Sequence, residues 1–264
     1  MPRLLWAART DVGMIRAGNE DHFAADAETE RGLFIVADGM GGHAAGEVAS
    51  EMAVKIVRRE MHDAGDVASE AAAQRMRESL LRANRAIHDR TVSETDKQGM
   101  GTTVSVLLAS TAGYLIGQVG DSRVYLLRDG ALRQLTKDHS YVQEQVDAGF
   151  LTPEQARYHP YSNVITRCVG AGPSVEPDVY AGTTQAGDLF LVASDGLTGM
   201  VDDRRLQQLL MARVSPERMV HSLISEANGR GGLDNITAIV VMVVADGEAT
   251  GEFEHTQEHP VGGH

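Results

Sequence analysis

The chain has 264 residues and a single cysteine, Cys168. No disulfide can form within it, which suits a reducing compartment. No signature of a catalytic thiol surrounds Cys168, so it reads as a small buried side chain rather than a nucleophile. Basic residues are also few. Lys and Arg number 24 against 37 Asp and Glu, a formal net charge of −13. A surface this acidic repels nucleic acid and anionic membranes, which argues against both as partners. Long apolar runs are missing too. The longest, residues 238–245, falls far short of the roughly 20 residues needed to span a bilayer, and its valine-rich texture is that of a strand. The N-terminal MPRLLWAARTDVG lacks the apolar stretch of a secretory signal, so a cytoplasmic location is expected. The chain also has no Walker sequence, no H-E-x-x-H and no G-x-S-x-G.

What the chain does have is enough apolar residue, 42%, to build a core. Strands are expected at residues 4–8, 32–37 (GLFIVA), 102–109, 114–119, 124–127, 188–193 and 236–244. Helices are expected at residues 44–61, where Val48, Met52 and Ile56 recur every four positions, and at 67–87. Arg128-Asp129-Gly130-Ala131 is a hairpin signal. Residues 140–147 read as a short helix with Gly149 as its C-cap. Thr152-Pro153-Glu154-Gln155 opens another, and Ser215-Pro216-Glu217 a third that runs through Ala227. Residues 137–172 are polar and irregular, like an insertion. From Asp246 onward no apolar period remains, and residues 246–264 read as a disordered acidic tail. Helices cluster instead of alternating with strands. That points to antiparallel sheets with helices packed outside rather than a doubly wound parallel sheet.

The informative residues are acids placed where apolar strands end. Asp38 follows LFIVA, Asp195 follows LFLVAS, Asp121 follows Val119-Gly120, and Asp234 precedes the last strand. One Asp-Gly alone is a turn. Four such acids, with no Lys or Arg beside them in sequence, must be paired or must hold a hard divalent cation. A rival reading exists at Gly39-Met40-Gly41-Gly42-His43-Ala44, which matches the dinucleotide pattern G-x-G-x-x-G/A. Against it, Asp38 would face the pyrophosphate, and Glu60, the acid at the expected distance, falls in a helical pattern.

Six short motifs occur in order: Arg16-Ala17-Gly18-Asn19-Glu20-Asp21, Val36-Ala37-Asp38-Gly39-Met40-Gly41-Gly42, Gly101-Thr102-Thr103, Val119-Gly120-Asp121-Ser122-Arg123, Ala193-Ser194-Asp195-Gly196 and Asp234-Asn235-Ile236-Thr237. Together they resemble the ordered motifs of the metal-dependent protein phosphatases, the PPM or type 2C serine/threonine class, in its bacterial branch. Each motif is weak alone; six in order are specific. The resemblance spans about residues 7–245 and implies a single domain over 1–245, an α+β four-layer α-β-β-α sandwich of two antiparallel sheets flanked by helix pairs. Residues 137–172 would be the family's flap beside the active site, with His139, Ser162 and Arg167 as candidates for contacts there. Each of these three reads more simply as a surface or loop-packing residue.

The resemblance also implies roles. Asp38 would bridge two Mn²⁺ or Mg²⁺ ions, with the carbonyl of Gly39 on one of them. Asp195 and Asp234 would complete the first ion's shell, and Asp121 with Asp195 would hold a third, weaker ion. Glu20 and Asp21 would orient water around the ions, and Arg16 would clamp the substrate phosphate. The reaction implied is hydrolysis of phosphoserine and phosphothreonine by hydroxide that the two ions make available. The substrates would be phosphorylated proteins, targets of a serine/threonine kinase. The alternative is a non-catalytic phosphoprotein-binding module on the same fold, which would need a missing metal ligand. A metal-dependent phosphodiesterase or nuclease is disfavoured by the lack of a basic groove. The sequence departs from some relatives at Met40, where they carry a His read as general acid. His43 stands three residues later, open between that role with a substrate contact and a solvent-facing histidine at a helix start.

Overall fold

The computed structural model describes residues 2–41 and 45–245 and the backbone of Thr256–Glu258. Its elements run β1 (Arg3–Asp11), β2 (Asp21–Ala27), β3 (Arg31–Met40), α1 (Ala45–Met61), α2 (Glu70–Ser93), β4 (Gly101–Thr102), β5 (Val104–Ser110), β6 (Gly113–Val119), β7 (Arg123–Arg128), β8 (Ala131–Gln134), α3 (Tyr141–Asp147), α4 (Pro153–Arg157), β9 (Asp178–Thr183), β10 (Leu189–Ala193), α5 (Asp195–Thr198), α6 (Asp203–Met211), α7 (Pro216–Gly229), β11 (Ile236–Val244) and β12 (Thr256–Glu258).

Two sheets stack face to face. One has the order β12-β1-β11-β10-β7-β8, the other β2-β3-β5-β6-β9, with β4 pairing off the end of β3. Every pairing is antiparallel except that of β12 with β1. The middle strands are buried on both faces, which is why LFIVA and LFLVA read as unbroken apolar runs. The period-2 alternation nevertheless divides them. Leu33, Ile35 and Ala37 of β3 pack under α1 and α2, while Phe34 and Val36 face the other sheet. In β10, Leu189, Leu191 and Ala193 pack against the α5–α7 side, and Phe190 and Val192 face inward. Three apolar layers thus hold four layers of structure, the α-β-β-α arrangement expected.

Local signals in the sequence match the fold at several points. Arg128 pairs with Ala131 around Asp129 (φ 51°) and Gly130 (φ 79°), a type I′ turn that joins β7 to β8. Thr152 caps α4 in a complete capping box with Gln155. The second helix starts later than its apolar pattern, at Glu70, because the Ser69 side chain accepts from Ala72 N–H at 3.1 Å and fixes the start there.

Other expectations need correction. Asp38 is not at the exit of its strand: β3 continues through Met40, with Gly39 opposite Thr102 and Met40 opposite Gly101. That continuation, in an antiparallel sheet, removes the tight strand-to-helix turn a dinucleotide fingerprint requires. Residues 137–172 are more regular than their polarity suggests. They hold α3 and α4, and the bridges Thr102–Val169 and Ser140–Ile165 fasten them to the body and to each other. Within the expected tail, β12 pairs in parallel with Ala7–Arg9; residues 246–255 and 259–264 lie outside the described residues, as does His43.

Candidate active site

Five carboxylates converge at one end of the sandwich, each delivered by a different element. Asp21 opens β2 and stands directly opposite Asp38 of β3. Asp195 is the first residue of α5, just past β10. Asp121 lies in the loop between β6 and β7, and Asp234 in the loop before β11.

Asp21 is closed off from water, at 3% exposure. Its Oδ2 accepts from Ser194 Oγ (2.8 Å) and Thr237 Oγ1 (2.7 Å). Its Oδ1 has no partner. Thr237 is held in turn by Thr10 (2.8 Å), which accepts from Asn19 Nδ2 (2.9 Å), so hydroxyls carried by β1, β11 and the end of β10 reach across to grip a carboxyl that belongs to the other sheet. Burial pushes Asp21 up to about 7; the hydroxyl donors oppose the shift, and Asp195 and Asp234 add to it.

Asp38 is fixed by its backbone. Its N–H donates to Thr103 Oγ1 (3.0 Å), and its carbonyl accepts from Thr103 N–H (2.8 Å) and Thr102 Oγ1 (2.9 Å). Burial first, then the charges of Asp21, Asp195 and Asp121, hold its carboxyl well above the usual range, and it hydrogen-bonds to Asp195. Asp195 is raised chiefly by burial, with the Asp38 hydrogen bond opposing, and its Oδ1 is buried without a partner. Asp121, 6% exposed, also has an orphaned Oδ1, and burial followed by Asp195 and Asp138 raises it well above normal.

Gly39 is required by space. A Cβ there would overlap the carbonyls of Gly46 and Glu20, so α1, β3 and the Glu20 loop meet only because no side chain intervenes. Glu20 is anchored by its N–H to Asn235 Oδ1 (2.8 Å), its Oε2 lies over Gly46, and burial raises its pKa with Arg16 opposing. Asn235 also donates to the carbonyls of Val12 and Gly18 (both 2.9 Å), tying together the loops that carry Arg16 and Asp234. Arg16, half-exposed, donates through Nη2 to Asp234 Oδ2 at 2.7 Å. Arg16 therefore has an ion-pair partner, but it is Asp234 across 218 positions of sequence rather than the neighbouring Glu20 or Asp21.

Among the described residues no three acidic, cysteine or histidine side chains stand as a ready-made metal shell. Asp38 is engaged with Asp195, and Asp234 with Arg16. The donor set nevertheless fits a hard divalent cation. All of it is carboxylate or carbonyl oxygen, one buried oxygen each on Asp121 and Asp195 lacks any partner, and burial raises the pKa of Asp38, Asp121 and Asp195, as it does where charge waits for a cation.

A cleft of about 910 Å³ opens beside these acids. Asp121, Asp195 and Asp234 line one side, and Pro153, Arg157 and Ser162 the other. Of the candidates in the 137–172 segment, Ser162 faces this cleft. Arg167 instead pairs with Asp178 (3.3 Å), and His139 is 2% exposed, a packing residue. The supporting hydroxyls and amides, Thr10, Asn19, Thr103, Ser194, Asn235 and Thr237, were given no role on sequence grounds. All but Thr10 fall inside the six motifs, which was the available signal.

The family model for protein phosphatase 2C matches residues 16–226. The chain belongs to the protein phosphatase 2C family. A protein phosphatase 2C-type protein of Streptococcus pyogenes is 39% identical over 235 residues, covering 88% of this chain and 95% of that one. The serine/threonine protein phosphatase PstP of Mycobacterium tuberculosis is 39% identical over 258 residues, 98% of this chain; the chain spans about half of PstP, 47%. Among solved structures, the PstP catalytic domain in complex with two manganese ions superposes with a TM-score of 0.81 at 38% identity, covering 93% of this chain and all of that one. The Streptococcus agalactiae serine/threonine phosphatase does so at 0.85 and 36% identity, covering 91% and 99%. The two stacked antiparallel sheets flanked by helices are this family's fold.

Proposed function

We propose that this chain hydrolyses phosphoserine and phosphothreonine in proteins, with Mn²⁺ or Mg²⁺, at the Asp38–Asp195–Asp234 end of the sandwich. The observation that carries the reading is the group of buried carboxylates with orphaned oxygens, in a family whose PstP member was solved with two manganese ions. Asp38, the Gly39 carbonyl, Asp195 and Asp234 would hold two ions, and Asp121 with Asp195 a third. When bound, such ions supply a water nucleophile acidic enough for use near neutral pH and offset phosphoryl charge.

The remaining work falls to the chain's own groups. Among the described residues Arg16 is the guanidinium whose hydrogen-bond partner, Asp234, is itself in the donor set, so it would be free for a substrate phosphate when Asp234 holds a cation. Its half-exposed position lets it reach the substrate without deep entry. Asp21 and Glu20 stand behind the donors, gripped by Ser194, Thr237 and Asn235, and would orient water. Residues 137–172 form the far wall of the cleft and act as a flap for the polypeptide around the phosphorylated residue. Among the described residues no helix is long and apolar enough to cross a membrane. Together with the lone cysteine, this supports a cytoplasmic phosphatase opposing a serine/threonine kinase. Nothing favours the binding-module alternative, since each acid of the motifs is present.

The test is a substrate panel. With Mn²⁺ present, phosphate should be released from phosphoserine and phosphothreonine peptides and not from a phosphodiester. Cleavage of the diester alone would move the reading to a phosphodiesterase, and no release from any substrate by folded, Mn²⁺-loaded protein would remove catalysis.

A further inference from the structure

Asp121 arrives at the site on an unusual turn, and the 137–172 segment holds that turn from both sides. Gly120, the residue before it, has φ +105°, a conformation in which a side chain would be strained and would also strike Thr103. His139 clasps this glycine twice. The His139 N–H donates to the Gly120 carbonyl (2.9 Å), and the Gly120 N–H donates to His139 Nδ1 (3.1 Å). The second bond requires Nδ1 to be the bare nitrogen, which leaves the ring proton on Nε2, facing Asp178 Oδ2 at 3.2 Å. Asp178 is steadied by Tyr180 (3.0 Å) and Arg167 (3.3 Å). On the other side of the turn, Asp138 grips Arg123, two residues past Asp121, with Nε–Oδ1 and Nε–Oδ2 at 3.0 Å and Nη2–Oδ2 at 2.7 Å. Gln134 fixes Asp138 from behind at 2.8 Å. The His139 carbonyl accepts from Thr166 N–H (2.8 Å), which ties this root to the rest of the segment.

We propose that Asp138 and His139 are positioning residues: they orient the Asp121 carboxylate for a cation, and so set that cation's affinity through the root of the 137–172 segment. Neither residue touches the cation. The inference rests on the reading of Asp121 as a cation donor given above.

The experiment is Mn²⁺ binding by calorimetry on the full chain, free of phosphate and substrate. Wild type should show tight sites and a weaker class. Asp121→Asn should remove the weaker class. His139→Ala should weaken that class by roughly 10–100-fold and leave the tight sites alone, as loss of a group behind a metal ligand does. His139→Asn, whose side-chain oxygen can take the place of Nδ1 and accept the Gly120 N–H, should recover most of the loss. If His139→Ala does not fold, Asp138→Asn, which changes no side-chain volume, should weaken the same class by a smaller factor. A folded His139→Ala with the wild-type isotherm overturns the proposal, as does equal weakening of all sites or failure of the Asn variant to recover. An unchanged isotherm for Asp121→Asn would instead remove Asp121 from the donor set, a failure of the underlying reading that this variant alone reports.

Discussion

Stripping the divalent cations should make this protein lose stability as pH rises, the reverse of ordinary acid denaturation. The direction follows from the carboxylates at the site. In the unfolded chain Asp ionises near pH ~3.9. In the metal-free fold, burial and mutual repulsion hold Asp21, Asp38, Asp121 and Asp195 above that value, Asp21 at about 7. Between those limits the native state binds more protons than the unfolded state. Stability is therefore greatest below the unfolded pKa and is lost as pH rises through the folded one. For Asp21 alone, a displacement of about 3 pH units corresponds to about 4 kcal/mol at neutral pH. Carboxylates held low by hydrogen bonds, such as Asp178 and Asp202, finish ionising below this window and do not mask the effect. Cations reverse the loss by neutralising the cluster. At about 100 times the dissociation constant, one ion adds about 2.7 kcal/mol, a rise in Tm of roughly 5–10 °C for a domain of this size. Scanning calorimetry from about pH 5 to about pH 8, with chelator and with Mn²⁺, reads both quantities. The metal-free Tm should fall across the range and the gain from Mn²⁺ should grow with pH, with protons released on binding. A metal-free Tm that rises over this range, with a gain from Mn²⁺ independent of pH, refutes the account of the cluster.

Three further outcomes follow from named contacts. Arg16→Ala should lower kcat/KM for a phosphopeptide by roughly 10–100-fold, the worth of a charged hydrogen bond to an anion. Its surface pair with Asp234 should contribute under about 1 kcal/mol to unfolding. Equal loss of activity and stability would mark Arg16 as structural. Gly39→Ala should cost about 2–3 kcal/mol in denaturant unfolding, because the added methyl has only the Gly46 and Glu20 carbonyls to displace. Asp188→Ala should cost about 1.5–3 kcal/mol by the same measurement, the worth of lost charged hydrogen bonds. It removes the bonds of 2.7 and 2.6 Å from Arg128 to a fully buried carboxylate and leaves Arg128 its bond to the Thr183 carbonyl, and the folded fraction should keep its activity because this pair is not among the site's donors.

Sequence reasoning read the fold where a single physical signal dominated. Strands β3, β5, β10 and β11 are buried on both faces and show as apolar runs, and β11 falls at its expected bounds. It missed β2 (DHFAADA) and β9 (DVYAGT), whose Ala, Asp and Gly have little strand preference. These two are the outer strands of their sheet, held there by pairing with β3 and β6. It missed α6 as well, although Asp202 caps that helix by accepting from Arg205 N–H at 2.9 Å. The site was legible as acids beside apolar runs, although Asp38 proved to lie within its strand and Asp234 to have a partner in Arg16. What one dimension hid was long-range chemistry: the Arg16–Asp234 pair, the Asp21 grip by Ser194 and Thr237, and the clasp of His139 on Gly120 each join residues far apart in sequence.

The most direct test of the central claim is phosphate release from a phosphothreonine peptide by wild type and Asp38→Asn, each with Mn²⁺ and with excess chelator. The account predicts turnover by wild type only with Mn²⁺, and none by the variant under either condition while both remain folded. Turnover by wild type in chelator, or by Asp38→Asn at the wild-type rate, would contradict it.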